Sequence, residues 1–212
     1  MNQSQSIGSS IKCFKRSGGY QAIGTHFLII MNFDSPEEEY YYNWLIELQN
    51  DGYIKSIQRE PEYELYPEVR INDKPVLRAS NYKPDFIVVW EEKARGVFFF
   101  TESCKFKSMI TELKSKHFAH QNETEEYYSV VDVKGTFAAR GNSSTIKFPI
   151  IQKQMYYRYN IYVNKIMPLH RKNGLFAKTF TPQKQSYTKK GELRKLSWKI
   201  VSLSEFIELK TK

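Results

Sequence analysis

Cysteine is scarce: two residues in 212, Cys13 and Cys104, with no metal-ligand spacing between them. That excludes a disulfide scaffold and a cysteine-rich zinc module, and it suits a reducing cytosol. Histidine is as thin. His26, His117, His120 and His170 form no H-E-x-x-H or comparable cluster. His117 and His120 stand three apart and can share a helical face, where a solvated pair is expected rather than a zinc site, since no third ligand is evident. No apolar run approaches the roughly 20 residues that span a bilayer, and the N-terminus offers no hydrophobic signal core. A soluble, cytoplasmic protein without a membrane partner is expected. Internal repeats and long low-complexity tracts are also missing.

What is present is aromatic and basic. Phe, Trp and Tyr make up 15% of the chain, and the formal net charge is +9. The charge is unevenly spread. Residues 147–212 hold 15 Lys or Arg against three Glu, whereas residues 1–146 hold 17 basic and 20 acidic side chains. Such asymmetry suits a polyanion-binding surface, because cations that neutralise phosphates release condensed counterions. A solubilising basic tail would give the same composition.

Residues 1–25 are rich in Ser, Gly and Gln and are expected to be a flexible N-terminal segment. Residues 26–167 read as the core, with an insertion near 102–126. Residues 168–212 read as a basic C-terminal extension packed on, or extending, that core. Within the core, Ser35-Pro36-Glu37-Glu38 starts a helix, and Tyr41, Trp44, Leu45 and Leu48 follow at helical spacing. Strand-like stretches cover 54–58, 62–71, 82–90, 97–101 and 127–133, with Asn72-Asp73-Lys74-Pro75 as a hairpin turn. Helix is expected around 109–118 and over 148–159, and a loop over 136–145. The fold class is α/β.

Two of the strands carry acids. Lys83-Pro84-Asp85 precedes the apolar run Phe86-Ile87-Val88-Val89, and Val131-Asp132-Val133-Lys134 places an acid and a lysine at i and i+2. Alternate residues of a strand share a face, so Asp132 and Lys134 project together. Phosphodiester hydrolysis needs a hard cation to bind the phosphate and acidify a water. Mg²⁺ or Mn²⁺ held by Asp85 and Asp132, with the Val133 carbonyl, meets that need. Lys134 beside it would orient the water and stabilise developing charge. Turn capping by Asp85, and an exposed strand pair of Asp132 with Lys134, are the structural alternatives.

Pro84-Asp85 followed by Asp132-x-Lys134 resembles the PD-(D/E)XK nuclease superfamily. The resemblance covers roughly residues 33–167. It implies a restriction-endonuclease-like mixed central sheet flanked by helices, and a metal-dependent endonuclease acting on DNA. Ser35-x-x-Glu38-x-x-x-Tyr42 resembles the first-helix pattern of phage-encoded members and implies a catalytic, metal-facing Glu38. Glu37 and Glu39 are its substitutes, since Glu38 also fits a capping box behind Ser35. Gln152-x-x-x-Tyr156 resembles the Q-x-x-x-Y element and implies a site role for Gln152. The 46 residues between the two aspartates exceed the tight hairpin of compact members. Glu102 with Lys105 or Lys107 is the alternative second carboxylate, without the E-x-K spacing. Arg140, Lys147, Lys153 and Arg158 are expected to contact phosphates. The kin implied are small phage or mobile-element nucleases, including junction-resolving and transposon-end-cutting enzymes, in a bacterium or phage-infected cell. A homodimer or a partner protein fits such a role. A catalytically silent nucleic-acid-binding protein, or a nuclease subunit active only with its partner, is the rival expectation.

Overall fold

Ser35 accepts a hydrogen bond from the Glu38 backbone N–H at 3.3 Å and begins helix α1, Pro36–Asn50. Proline at the first position and three glutamates in the first turn suit the start of a helix. Gly52, at φ +71°, ends it, with the Tyr53 N–H returning to the Leu48 carbonyl. Tyr41, Trp44, Leu45 and Leu48 are fully buried, so the helix lays one face on the sheet. The computed structural model describes residues 32–101, 111–135, 143–170 and 173–211. The N-terminal segment 1–25, Arg140, and Glu102 with Lys105 and Lys107 lie outside the described residues.

The strands are β1 (Ile54–Arg59), β2 (Tyr63–Tyr66), β3 (Val69–Ile71), β4 (Lys74–Leu77), β5 (Ser80–Tyr82), β6 (Phe86–Trp90), β7 (Phe99–Phe100), β8 (His117–Phe118), β9 (His120–Gln121), β10 (Tyr127–Val133) and β11 (Val163–Ile166). Helix α2 spans Ser143–Tyr159, and α3 (Leu175–Lys178), α4 (Gln183–Ser186) and α5 (Leu203–Thr211) follow. The main sheet runs β1-β6-β10-β11, with β9 also paired to β10. It is mixed: β1, β6 and β9 pair antiparallel, while β10 and β11 are parallel and joined through α2. A parallel pair requires such a crossover, and Val, Ile and aromatic side chains supply both covered faces.

Those two faces define two cores. Phe86, Val88, Trp90, Val131, Val133 and Ile166 face α1. Val130 and Val163 face the other way, onto Phe148 and Met155 of α2. The C-terminal segment joins the α1 side through Leu175, Phe176, Phe180, Leu203 and Phe206. It is tied there by Lys184 to Glu39 at 2.6 Å and by the Gln183 N–H to Glu47 at 2.6 Å. Strands β2 to β5 form a separate ladder whose tip turns at Asn72 and Asp73, both at positive φ, the backbone of a two-residue hairpin.

Residues 117–121 correct the sequence reading. His117–Phe118, at the end of the helix expected around 109–118, and His120–Gln121 are short strands, and His117 and His120 are not a solvated pair. His117 is fully buried against Tyr41, Trp44 and Trp90. Its Nδ1 faces the Phe98 carbonyl at 3.3 Å, and a carbonyl can only accept, so Nδ1 carries the proton. Nε2 then accepts from the Tyr41 hydroxyl at 2.7 Å. Both ring nitrogens are satisfied, which is why a histidine tolerates this core. Burial lowers its pKa to about 4. α2 begins at Ser143, within the loop expected over 136–145, and residues 136–142 lie outside the described residues.

Candidate active site

β6 and β10 run antiparallel with Val131 opposite Phe86. One step further along the same register sets Asp132 opposite Asp85, just before β6 begins and one residue before β10 ends. On the other side of β10, the parallel register pairs Asp132 with Lys165 of β11. Alternation along each strand puts Asp85, Asp132, Lys134 and Lys165 on the α2 side of the sheet. Lys134 Nζ lies 2.8 Å from Asp132 Oδ1. The Val133 N–H donates to Asp85 Oδ2 at 2.5 Å, which fixes that carboxylate against the end of β10.

Burial makes this cluster electrostatically unusual. Asp132 is only 4% exposed. Desolvation, followed by the negative charge of Asp132, pushes the Asp85 carboxyl up to about 7, against the Val133 N–H and Lys134, which favour its charged form. Burial also raises the Asp132 carboxyl, against the pull of Lys134 and Lys165. The Tyr82 hydroxyl is buried beside the pair, and its pKa is raised by desolvation and by both aspartates. It has no hydrogen-bond partner in good geometry among the described residues. Two carboxylates held this close, with lysines on either side, form a site that a small dication would relieve of like-charge repulsion.

The three glutamates at the start of α1 have separate fates. Glu38 is occupied by the helix start: Oε1 accepts from the Ser35 hydroxyl at 2.8 Å and Oε2 from the Asp34 N–H at 3.2 Å. Its charge still acts on Asp85, raising that pKa. Glu39 pairs with Lys184. Glu37 reaches the end of β10, where a methyl group added at Gly135 would come within 2.9 Å of its Oε1. Of Glu38 and its substitutes Glu37 and Glu39, the geometry sets Glu37 beside Gly135.

Gln152 lies on the α2 face that meets β11 and donates from Nε2 to the Val163 carbonyl at 2.7 Å. That bond ties the helix to the sheet. Arg158 donates to the Leu65 carbonyl at 2.9 Å and pairs with Glu64 at 2.8 Å, so much of its guanidinium is engaged. Lys147 and Lys153 are exposed on α2 and have no ion pair among the described residues. Sequence reasoning did not bring Lys165 or Tyr82 to this cluster, and it offers Glu37 only as a substitute for Glu38. Lys165 becomes significant only through the β10–β11 register, and Tyr82 only through the arm that returns β5 to the sheet.

The donor set fits a hard cation. Asp85 and Asp132 offer carboxylate oxygens, the Val133 carbonyl lies between Asp132 and Lys134 in sequence, and Mg²⁺ is commonly held by one or two carboxylates plus waters and phosphate. Among the described residues no cluster of three or more His, Cys, Asp or Glu forms a fuller cage. No helix among them is long and apolar enough to cross a membrane.

A family model described as a protein of unknown function, DUF1064, matches residues 27–145. The matched stretch contains Glu37, Glu38, Asp85, Asp132 and Lys134, and ends just inside α2. No curated protein and no solved structure matches the chain.

Proposed function

We propose, from the premise that the chain belongs to the DUF1064 family, that it is a metal-dependent DNA endonuclease with a restriction-endonuclease-like core. The observation that carries this reading is the register that sets Asp85 against Asp132 on adjacent strands, with Lys134 at 2.8 Å from Asp132. The mixed sheet flanked by α1 and α2, and the resemblance of Pro84-Asp85 and Asp132-x-Lys134 to the PD-(D/E)XK pattern, support it.

Asp85 and Asp132 would hold Mg²⁺ or Mn²⁺, and the Val133 carbonyl would offer a further oxygen. When bound, the ion supplies Lewis acidity, polarising a phosphoryl oxygen and lowering the pKa of water. Lys134 lies on the same face as Asp132 and supplies positive charge where negative charge develops on the phosphate. Lys165, on the opposite flank of Asp132, adds a second cation to the same electrostatic well. The Tyr82 hydroxyl lies beside Asp132 and can turn to donate to a phosphate oxygen. Glu37, at Gly135, is the group placed to orient water from the α1 side. Lys147 and Lys153 hold the flanking phosphates and carry no sequence information. The protein acts in the cytoplasm, and a second copy or a partner protein completes double-strand cutting.

Plasmid cleavage by wild type, Asp132→Asn and Lys134→Met, with Mg²⁺, Mn²⁺ or EDTA, tests the reading. Metal-dependent nicking or linearisation by wild type alone, with both variants folded by circular dichroism, supports it. If the wild-type protein shifts DNA on a gel but never cuts it, the enzyme reading falls and a silent binding protein replaces it.

A further inference from the structure

Helix α2 carries no acidic residue along its 17 residues, yet exposes two large rings: Tyr157 is 88% and Tyr156 55% exposed. Apolar side chains left in water at this density ask for a partner. Beside them runs a groove of 520 Å³ lined by Leu65, Tyr66, Ile150, Lys153, Tyr157 and Arg158. Tyr66 and Ile150 are themselves 53% and 52% exposed. Gln154 Nε2 donates to the Tyr66 hydroxyl at 3.2 Å, which holds that ring at the groove wall. Lys153 adds a cation with no acid bound to it among the described residues.

We propose that this groove binds the unpaired bases of a single-stranded DNA segment, stacked on Tyr157 and Tyr66 with their phosphates on Lys153. The inference rests on the nuclease reading for its link to cleavage, and on the groove itself for binding. Three observations favour a single strand over other occupants. Exposed rings flanked by cations match the recognition of unstacked bases, whereas a duplex turns its base faces inward. An all-basic helix lacks the acids that would complement a protein partner's lysines. A symmetric dimer through this face would set each patch against its own copy, bringing Lys153 towards Lys153.

The groove is also connected to the carboxylates. Lys165 Nζ lies 5.8 Å from the Phe148 ring centroid, and Lys165 is the β11 partner of Asp132. The N-terminal end of α2 therefore adjoins the proposed site, and Tyr157 lies about 14 Å further along the helix at 1.5 Å per residue. A strand leaving the carboxylates along α2 reaches the tyrosines within a few nucleotides. The substrate is then DNA with an unpaired segment next to the cut, rather than uninterrupted duplex.

The test is equilibrium binding in EDTA, where no cleavage occurs, by fluorescence anisotropy of a labelled thymidine 12-mer and an abasic strand of the same length. The thymidine strand should bind more tightly than the abasic one. Tyr157→Ala should weaken the thymidine strand about tenfold, the effect of losing one stacked base, and leave the abasic strand unchanged. Tyr157→Trp should restore binding, and Lys153→Ala should weaken both strands alike. Equal affinity for both strands, or an unchanged affinity in Tyr157→Ala, overturns the proposal. So does a wild-type dimer in sedimentation that Tyr157→Ala converts to monomer. Loss of cleavage activity with retained base-dependent binding would defeat the nuclease reading alone.

Discussion

A carboxylate is easily ionised where water reaches it, and Asp132, at 4% exposure, is nearly out of reach. Burial and the neighbouring charge of Asp132 keep Asp85 protonated up to about pH 7. A cation at this site must therefore displace a proton, so its affinity falls as the pH drops through that value. Millimolar Mg²⁺ should raise the melting temperature more at a pH unit above 7 than at a unit below it. The increment should vanish in Asp132→Asn. Differential scanning fluorimetry at both pH values decides this, and an equal increment at both would mean that the pair does not hold the ion. Gly135 gives a second test at this scale. Gly135→Ala forces the Glu37 carboxylate aside, since the clash at 2.9 Å is with the tip of a flexible side chain. Melting temperature should barely change, while the cleavage rate falls as far as it does in Glu37→Gln. An unchanged rate in both variants would remove Glu37 from the site.

At the scale of elements, α1 both caps itself and approaches the carboxylates. Ser35 and Glu38 close the helix start reciprocally, with the Ser35 hydroxyl 2.8 Å from Glu38 Oε1. Ser35→Ala should cost about 1 kcal/mol of stability, the usual cost of losing such a cap. Urea denaturation checks it, and a loss no larger than a surface substitution gives would show that the cap contributes nothing. α1, β6, β10 and α2 were legible in the sequence because each carries a strong apolar period or a cap signal. Asp85, Asp132 and Lys134 were legible because two acids beside buried β-branched runs are chemically conspicuous. β8 and β9 were not, since two-residue strands leave no period, and polar His117 gains its place from Tyr41, 76 residues away, and from the Phe98 carbonyl. Lys165 was hidden for a related reason: its neighbour is set by parallel pairing across a helical crossover, which local sequence does not encode.

Across the whole molecule, His117, buried in the core on the α1 side, and Asp85, half-buried beside Asp132, respond to acid with opposite sign. His117 has a pKa of about 4 against an ordinary 6.5. Between those values the unfolded chain takes up a proton that the folded core refuses, so stability falls as pH drops from 6.5 towards 4. Asp85 stands at about 7 against an ordinary 3.8. Between those values the folded chain keeps a proton that the unfolded chain has released, so its contribution to stability rises as pH drops from 7 towards 4. Each fully linked proton gives a slope of about 1.4 kcal/mol per pH unit, and over the shared window the two largely cancel. Single substitutions should separate them. His117→Gln keeps an acceptor for the Tyr41 hydroxyl and leaves the aspartate slope uncovered, so this variant should gain stability on acidification relative to wild type. Asp85→Asn leaves the histidine slope uncovered, so it should lose stability over the same range. Unfolding free energies from denaturant titrations across this window measure both slopes. Two variants that track the wild-type profile in parallel would mean that neither buried group changes its proton on folding.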